Sequence, residues 1–421
     1  MKKLNVLAAS VCLCAAACGS GMKSTEPELE LAVLNEVLTN EISDTSCLER
    51  MDRRIVNYMN QWQLKGASLA VMRNDSLLYA KGYGWADEAN SIRMEPYHLM
   101  RLASVSKLIT ATGIMVLQEQ GKLSLKDKVF GEDGILGDES YCSSIKDRNY
   151  YRITVEDLMR HKGGLTCGAG DPMFSTRSIM VNNRLDKAPD NDELIGIMLK
   201  RRLGYVPGTS EQYSNFGYLL LSKVIEKVSG MSYEDFTQKY VLRKAGCTDF
   251  HIAGNYYKDR YPNEVRYYVP SNEQPVQEYN NSGRLVTRCY GGNDITALSG
   301  AGAWVGSVPE LAKFVASIDG RRCIENIIED ESIMQMTEYF DEKTYSLGWN
   351  DTAPDKGWTR TGTFSGTSAL IKYFPDGECW IFVTNTSTWK GPGFSRKTAA
   401  LFSELRSSFS AKLPSRNLFY K

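Results

Sequence analysis

Strand-like runs stand near the two ends of this chain and scarcely between them, which constrains its fold more than any other feature. Early on, Ala67-Ser-Leu-Ala-Val-Met72 and Leu77-Leu-Tyr-Ala80 flank Arg73-Asn74-Asp75-Ser76, the composition of a hairpin turn. Late in the chain, Tyr345–Trp349, Thr359–Thr363, Ser368–Tyr373 and Cys379–Thr384 read as an antiparallel series, with a turn at Pro375-Asp376-Gly377. The stretch from about 122 to 290 reads as helix and loop. Strands need partners to be stable, so the two ends are expected to share one sheet with a helical region inserted into it. The fold class is therefore α/β in the α+β sense: an antiparallel sheet built from both chain ends and flanked by helices. The expected division is 29–121 and 291–421 for the sheet domain and 122–290 for the helical domain. Apolar residues at helical spacing (Leu31, Leu34, Val37, Leu38) predict one or two helices before Leu64, and an amphipathic helix from about Ser395 to Phe409 closes the chain.

The first residues read as a targeting segment. Lys2 and Lys3 precede an apolar stretch from Leu4 to Ala17, too short to span a bilayer. It ends Ala15-Ala16-Ala17-Cys18-Gly19-Ser20, which resembles a bacterial lipoprotein cleavage site. Residues 1–17 would then be the signal peptide, Cys18 the lipidated first residue, and 18–28 a small, polar tether. An ordinary secretory signal cut after Ala17 is the alternative. Gly19 and Ser20 do not resemble an inner-membrane retention aspartate, so the expected location is the cell envelope, anchored in the outer membrane and facing the periplasm or the cell surface.

Lysine plus arginine equals aspartate plus glutamate, so the net charge is zero and charge names no partner. No basic block or zinc-finger spacing is present, which argues against nucleic acid. Seven cysteines follow Cys18, scattered and without a C-x-x-C, so neither a metal site nor a disulfide framework is expected. A single bridge such as Cys142 with Cys167 stays open. No cofactor is indicated, and oligomeric state cannot be read from the sequence.

Three short motifs carry the chemistry: Ser104-Val105-Ser106-Lys107, Tyr213-Ser214-Asn215 and Arg360-Thr361-Gly362. Together they supply a hydroxyl nucleophile, an amine, a phenol, a side-chain amide and a cationic strand edge, which is equipment for acyl transfer through a serine ester without histidine. Other S-x-x-K and Y-x-N matches exist, as at Ser143/Lys146 and Tyr279/Asn281, but in polar loops. Ser104 instead stands where an extended segment yields to Leu108-Ile109 and Ile114-Met115-x-Leu117, an apolar pattern at helical spacing ending at Gly121. Residues three apart are neighbours on a helix, so Lys107 would lie on the same side as Ser104. The helix start also offers free N–H groups where an oxyanion would develop. Tyr213-Ser214-Asn215 immediately precedes a helix from Phe216 to Val228 ended by Gly230, on a loop set by Pro207-Gly208. An α/β-hydrolase would need a G-x-S-x-G elbow and a late histidine; the elbow is missing and no histidine follows His251.

With these motifs in place, the chain resembles the serine β-lactamase and penicillin-binding-protein superfamily, specifically its class C-like branch. The resemblance covers nearly all of residues 45–405. It includes Ile153 through Leu165, similar to a family segment ending in T-S-G-L, and Pro207-Gly208-Thr209 through Tyr218. It also includes Ala301-Gly302-Ala303 with Glu310-Leu311-Ala312-Lys313-Phe314, and Thr361-Gly362-Thr363-x-x-Gly366-Thr367-Ser368. Y-x-N in place of S-D-N is what points to the class C-like branch.

What the resemblance implies is specific. Ser104 would attack the carbonyl, Lys107 would hold it and help take its proton, and Tyr213 would pass that proton to the leaving group and then activate water. Asn215 would grip the substrate amide or Lys107, although it also reads as the N-cap of the following helix. The backbone N–H groups of Ser104 and Thr363 would form the oxyanion hole. Arg360 departs from the usual Lys or His before Thr361-Gly362: it keeps the positive charge but cannot move protons. It is expected to anchor an anionic substrate group, a solvent-facing arginine being the alternative. His161 is expected to be a structural hydrogen-bonding residue, and Trp358 and Phe364 to line the cleft or pack in the core. The implied function is a lipid-anchored serine hydrolase acting through a Ser104 acyl-enzyme on a small-molecule or peptide substrate: a D-Ala-type peptide, a β-lactam or an ester. A catalytically silent scaffold that binds peptidoglycan or a protein partner is the alternative.

Overall fold

The computed structural model describes residues 38–165 and 170–419. The leader, Cys18, the tether and Cys167 lie outside the described residues. From the N-terminal side the elements are α1 (Glu49–Trp62), β1 (Gly66–Arg73), β2 (Ser76–Asp87), β3 (Ile92–Arg93), β4 (Met100–Arg101) and α2 (Ser106–Glu119). The middle is mostly helical: α3 (Glu139–Cys142), α4 (Val155–Met159), α5 (Thr176–Asn183), α6 (Asn191–Leu199), α7 (Asn215–Ser229) and α8 (Tyr233–Thr237). Among the described residues it holds only two-residue strands, β5 (His251–Ile252), β6 (Val276–Gln277) and β7 (Leu285–Val286). Then come α9 (Ser299–Gly302), β8 (Trp304–Gly306), α10 (Val308–Ala316), α11 (Asp330–Thr337), β9 (Trp358–Phe364), β10 (Thr367–Tyr373), β11 (Glu378–Thr384) and α12 (Phe394–Phe409).

The main sheet joins the two ends of the chain in the order β3-β2-β1-β11-β10-β9. β1 and β11 meet antiparallel, Ala67 opposite Thr384 and Val71 opposite Trp380. Side chains alternate between faces: Leu69, Val71, Trp380 and Phe382 pack with α1 and α12, whereas Ala70, Met72, Ile381 and Val383 join the larger core containing α2 and α10. Burial on both faces explains why these strands read as continuous apolar runs rather than an alternating pattern. β1 and β2 are joined by Asn74 and Asp75, both at positive φ, a two-residue turn whose twist matches that of the strands.

One expected strand is absent. Tyr345–Trp349 forms a loop, with Gly348 in the left-handed region at φ 87° and packed against Ala111 and Leu108 of α2. That backbone turn interrupts extension; the segment instead delivers Asn350 to the outer edge of β9, where its Oδ1 accepts the Thr361 N–H at 2.7 Å. Among the described residues no helix is long and apolar enough to cross a membrane, and Cys47, Cys142, Cys247, Cys289, Cys323 and Cys379 are free thiols.

Beside the β1–β2 turn two carboxyl groups are buried together. Asp319 accepts the Tyr373 hydroxyl at 2.7 Å, and burial, with the neighbouring Asp75 charge, pushes its carboxyl up to about 7 despite that bond. An unfolded aspartate titrates near 3.9, so the folded state holds the proton more tightly. The stabilisation this proton provides is complete below about pH 4 and is lost as pH rises toward 7. Asp319→Asn is expected to flatten the pH dependence of Tm between about pH 4 and 7, seen in parallel melts of both chains. Identical slopes would remove the pair from the stability balance.

Candidate active site

The segment that positions Ser104 is anchored before it turns. Arg101 in β4 is buried, donating to the carbonyls of Cys289 and Gly254 at 2.8 Å each, and its backbone O accepts the Thr367 hydroxyl at 2.7 Å, which ties β4 to the main sheet. Ala103 then takes a left-handed conformation at φ 47°, and a short 3₁₀ turn, Ala103–Val105, leads into α2. α2 is buried on all sides from Ser106 to Leu117, as expected of a helix through the centre of a core. Ser104, in the 3₁₀ turn just before it, is only partly buried.

Lys107 is fully buried and each of its three donors has an acceptor: Asn215 Oδ1 and Ala301 O at 2.5 Å, and Ser104 Oγ at 3.2 Å. Burial lowers its proton affinity most; Tyr213 pulls it back, the Arg360 cation lowers it again, and the net position is below the usual lysine range. Tyr213 donates to Ser104 Oγ at 2.7 Å. Burial pushes its phenol up, but the Lys107 and Arg360 cations outweigh this and leave it below the usual tyrosine range. Amine and phenol both start near 10, so these shifts bring toward neutral pH two groups that share one hydroxyl. Once ionised, the Tyr213 phenolate stands at hydrogen-bond distance to receive a proton from Ser104 Oγ.

Ser214, not Asn215, caps α7: its side chain accepts the Gly217 N–H at 3.1 Å. The Asn215 amide is thereby free to reach Lys107. His161 accepts the Ser214 N–H through Nδ1 at 3.2 Å, and its ring lies 4.4 Å from Tyr213 and 4.8 Å from Tyr345. Burial, then the nearby Lys107 and Arg360 cations, hold its imidazole well below the ordinary value. The ring is a packing surface for Tyr213.

β9 is the edge strand beside the Ser104 turn. Gly362 permits that approach: a Cβ there would sit 2.3 Å from Leu102 O and 2.9 Å from Ser104 N. The N–H groups of Thr359 and Thr361 point to the outer edge, to Asp351 O at 2.8 Å and Asn350 Oδ1 at 2.7 Å. Alternation puts the Thr363 N–H on that same edge, near the Ser104 turn. The side chain of Arg360 points inward, with 1% exposure, and both Nε and one terminal nitrogen donate to Ser104 O. It does not face solvent, and its engaged donors brace the backbone of Ser104. Trp358 packs on Trp349 and Tyr373, with ring centroids 5.5 and 4.8 Å away.

Sequence reasoning missed Asp171. Its Oδ2 accepts both the backbone N–H of Asn215 at 2.9 Å and the side-chain Nδ2 at 3.0 Å. This orients the amide, because Nδ2 committed to Asp171 leaves Oδ1 for Lys107. The only hint in the sequence was an acidic residue followed by proline, Asp171-Pro172, after a glycine-rich run, a pattern shared by many loops. Asp171→Ala is expected to lower turnover roughly ten- to a hundredfold through misplacement of Asn215 and Lys107. Asp171→Asn, which keeps an acceptor, should recover most of the loss; steady-state kinetics on the two variants distinguishes these outcomes.

Comparison with known proteins bears on the family and the fold. A family model described as Beta-lactamase matches residues 51–403. Penicillin-binding protein 4* of Bacillus subtilis (strain 168) is 31% identical over 192 residues, 45% of this chain and 38% of that protein. The chain thus spans well under half the length of that relative. Among solved structures, the octameric penicillin-binding protein homologue from Pyrococcus abyssi superposes with a TM-score of 0.63 at 23% identity, covering 85% of this chain and 76% of that one. The D-amino acid amidase from Ochrobactrum anthropi SV3 does so with a TM-score of 0.65 at 18% identity, covering 86% and 99%. At these identities the two structures show a shared fold.

Proposed function

The chain belongs to the β-lactamase family of serine hydrolases, and from that premise we propose that it cleaves amides or esters through an acyl-enzyme on Ser104. The observation that carries this reading is the convergence of Tyr213 Oη, at 2.7 Å, and Lys107 Nζ, at 3.2 Å, on one partly exposed hydroxyl. With Tyr213 ionised beside the Lys107 and Arg360 cations, Ser104 Oγ attacks the carbonyl carbon as its proton passes to the Tyr213 phenolate. The oxyanion is held by the N–H groups of Ser104 and Thr363, each such donor contributing about 3–4 kcal/mol in the transition state. The C–N or C–O bond breaks as Tyr213 returns the proton to the leaving group. Water, losing a proton to the Tyr213 phenolate, then attacks the ester, and Tyr213 returns that proton to Ser104 Oγ as its C–O bond breaks.

Arg360 supports a preference within this chemistry. With Nε and a terminal nitrogen committed to Ser104 O, it serves as a fixed positive charge behind the nucleophile more than as a fork for a substrate carboxylate. Neutral esters and amides should therefore be turned over at least as well as carboxylate-bearing analogues. Attachment to the outer membrane through Cys18, with the chain facing the periplasm or the cell surface, is also part of the proposal. It is supported by the leader motif Ala15-Ala16-Ala17-Cys18, and a Cys18→Ser chain should leave the membrane pellet on fractionation.

The test is time-resolved intact-mass analysis with a fluorescent penicillin, beside turnover of a p-nitrophenyl ester. A lasting adduct at Ser104 would indicate a penicillin-binding peptidase, and a transient one with opened drug a β-lactamase. Ester cleavage without an adduct would indicate an esterase or amidase. Silence in both would overturn the enzyme reading in favour of a binding scaffold.

A further inference from the structure

The chain has seven tryptophans, and their distribution is uneven. Trp304, Trp349 and Trp380 are fully buried, and Trp358, in β9, is stacked on Tyr373. The other three, Trp62, Trp85 and Trp389, line a single cavity of about 550 Å³ between the end of α1, the end of β2 and the segment after β11. It shares no lining residue with the Ser104 site. Its volume falls in the range of roughly 300–1,000 Å³ typical of small-molecule sites.

We propose that this cavity binds a neutral saccharide. Trp389 is 70% exposed, an unusual state for the largest apolar side chain, and its ring lies 5.8 Å from that of Trp62 at 31°. Indole faces cover the C–H face of a pyranose, while its hydroxyl edge needs groups that both donate and accept. Asn60 and Gln63 supply amides of that kind in the same wall. The charged residues lining the cavity among the described residues, Lys65 and Glu88, pair with each other at 2.7 Å, and the Lys390 amine lies 4.1 Å over the Trp389 ring, so a sugar would stack on the opposite indole face. Aromatic platform, amides and paired charges together fit a polyhydroxylated, uncharged ring better than a peptide terminus or a phosphate.

Titration of the whole chain with chitotriose, a neutral N-acetylated trisaccharide, tests the site through tryptophan fluorescence and calorimetry. Saturable binding is expected, weakened at least about tenfold by Trp389→Ala and by Gln63→Ala, with p-nitrophenyl ester turnover unchanged in both. Trp389 projects into solvent, so its removal should leave the melting temperature close to that of the parent. The proposal is overturned if chitotriose gives no saturable signal up to its solubility limit, or if both variants bind as the parent does. It is equally overturned if the Trp389-dependent signal arises with phosphatidylglycerol vesicles and not with the sugar.

Discussion

Ser104→Ala is expected to abolish acyl-enzyme formation and reduce turnover on the order of 10⁴-fold or more, since later steps need the covalent ester. The fold should survive. Ser104 Oγ is one of three acceptors for Lys107 and the partner of the Tyr213 hydroxyl, so the variant loses two hydrogen bonds at about 1 kcal/mol each. Asn215 and Ala301 still hold the amine, and Arg360 still braces the carbonyl of residue 104. Intact-mass analysis should show no adduct while the thermal melt remains cooperative. Labelling that persists at another residue would end the assignment of Ser104 as nucleophile.

Tyr213→Phe should slow hydrolysis by about 10²–10⁴-fold, the range for removing a positioned acid–base group. Only an oxygen is lost. The ring keeps its contact with His161 at 4.4 Å and with the Lys107 amine at 4.9 Å, so the active-site wall should hold its shape. Because the phenol acts in both halves of the proposed cycle, acylation and deacylation should both slow, and a penicillin adduct, once formed, should last longer than in the parent. Stopped-flow acylation with mass-monitored adduct decay separates the two steps. An unchanged rate in each would remove Tyr213 from the mechanism and leave Lys107 as the base.

Local periodicity made much of the fold and the core of this site legible. Ser104 and Lys107 are three residues apart at a helix start, so their proximity is a property of the helix itself. The antiparallel strands and the α2, α7 and α12 helices followed from apolar spacing and from Gly121, Gly230 and Asn74-Asp75 as punctuation. Tyr345–Trp349 misled because its strand-like composition carries Gly348, whose left-handed backbone is used to pack against α2. Asp171 was hidden because its function is a hydrogen bond to a residue 44 positions away, and no local pattern encodes that.

By itself the sequence determined which groups could do acyl transfer, which of them share a helix turn, and that the two chain ends supply the strands. Tertiary structure alone decided how those groups meet and which way Arg360 points. Tyr213 and Arg360 reach Ser104 across 109 and 256 residues, through helix packing and sheet pairing. The direction of Arg360 depends on the register that sets it opposite Ile371; a slip of one residue would turn its side chain to the other face of the sheet. Alternation along a strand is written in the chain, but its phase is fixed only when the strand finds its neighbour.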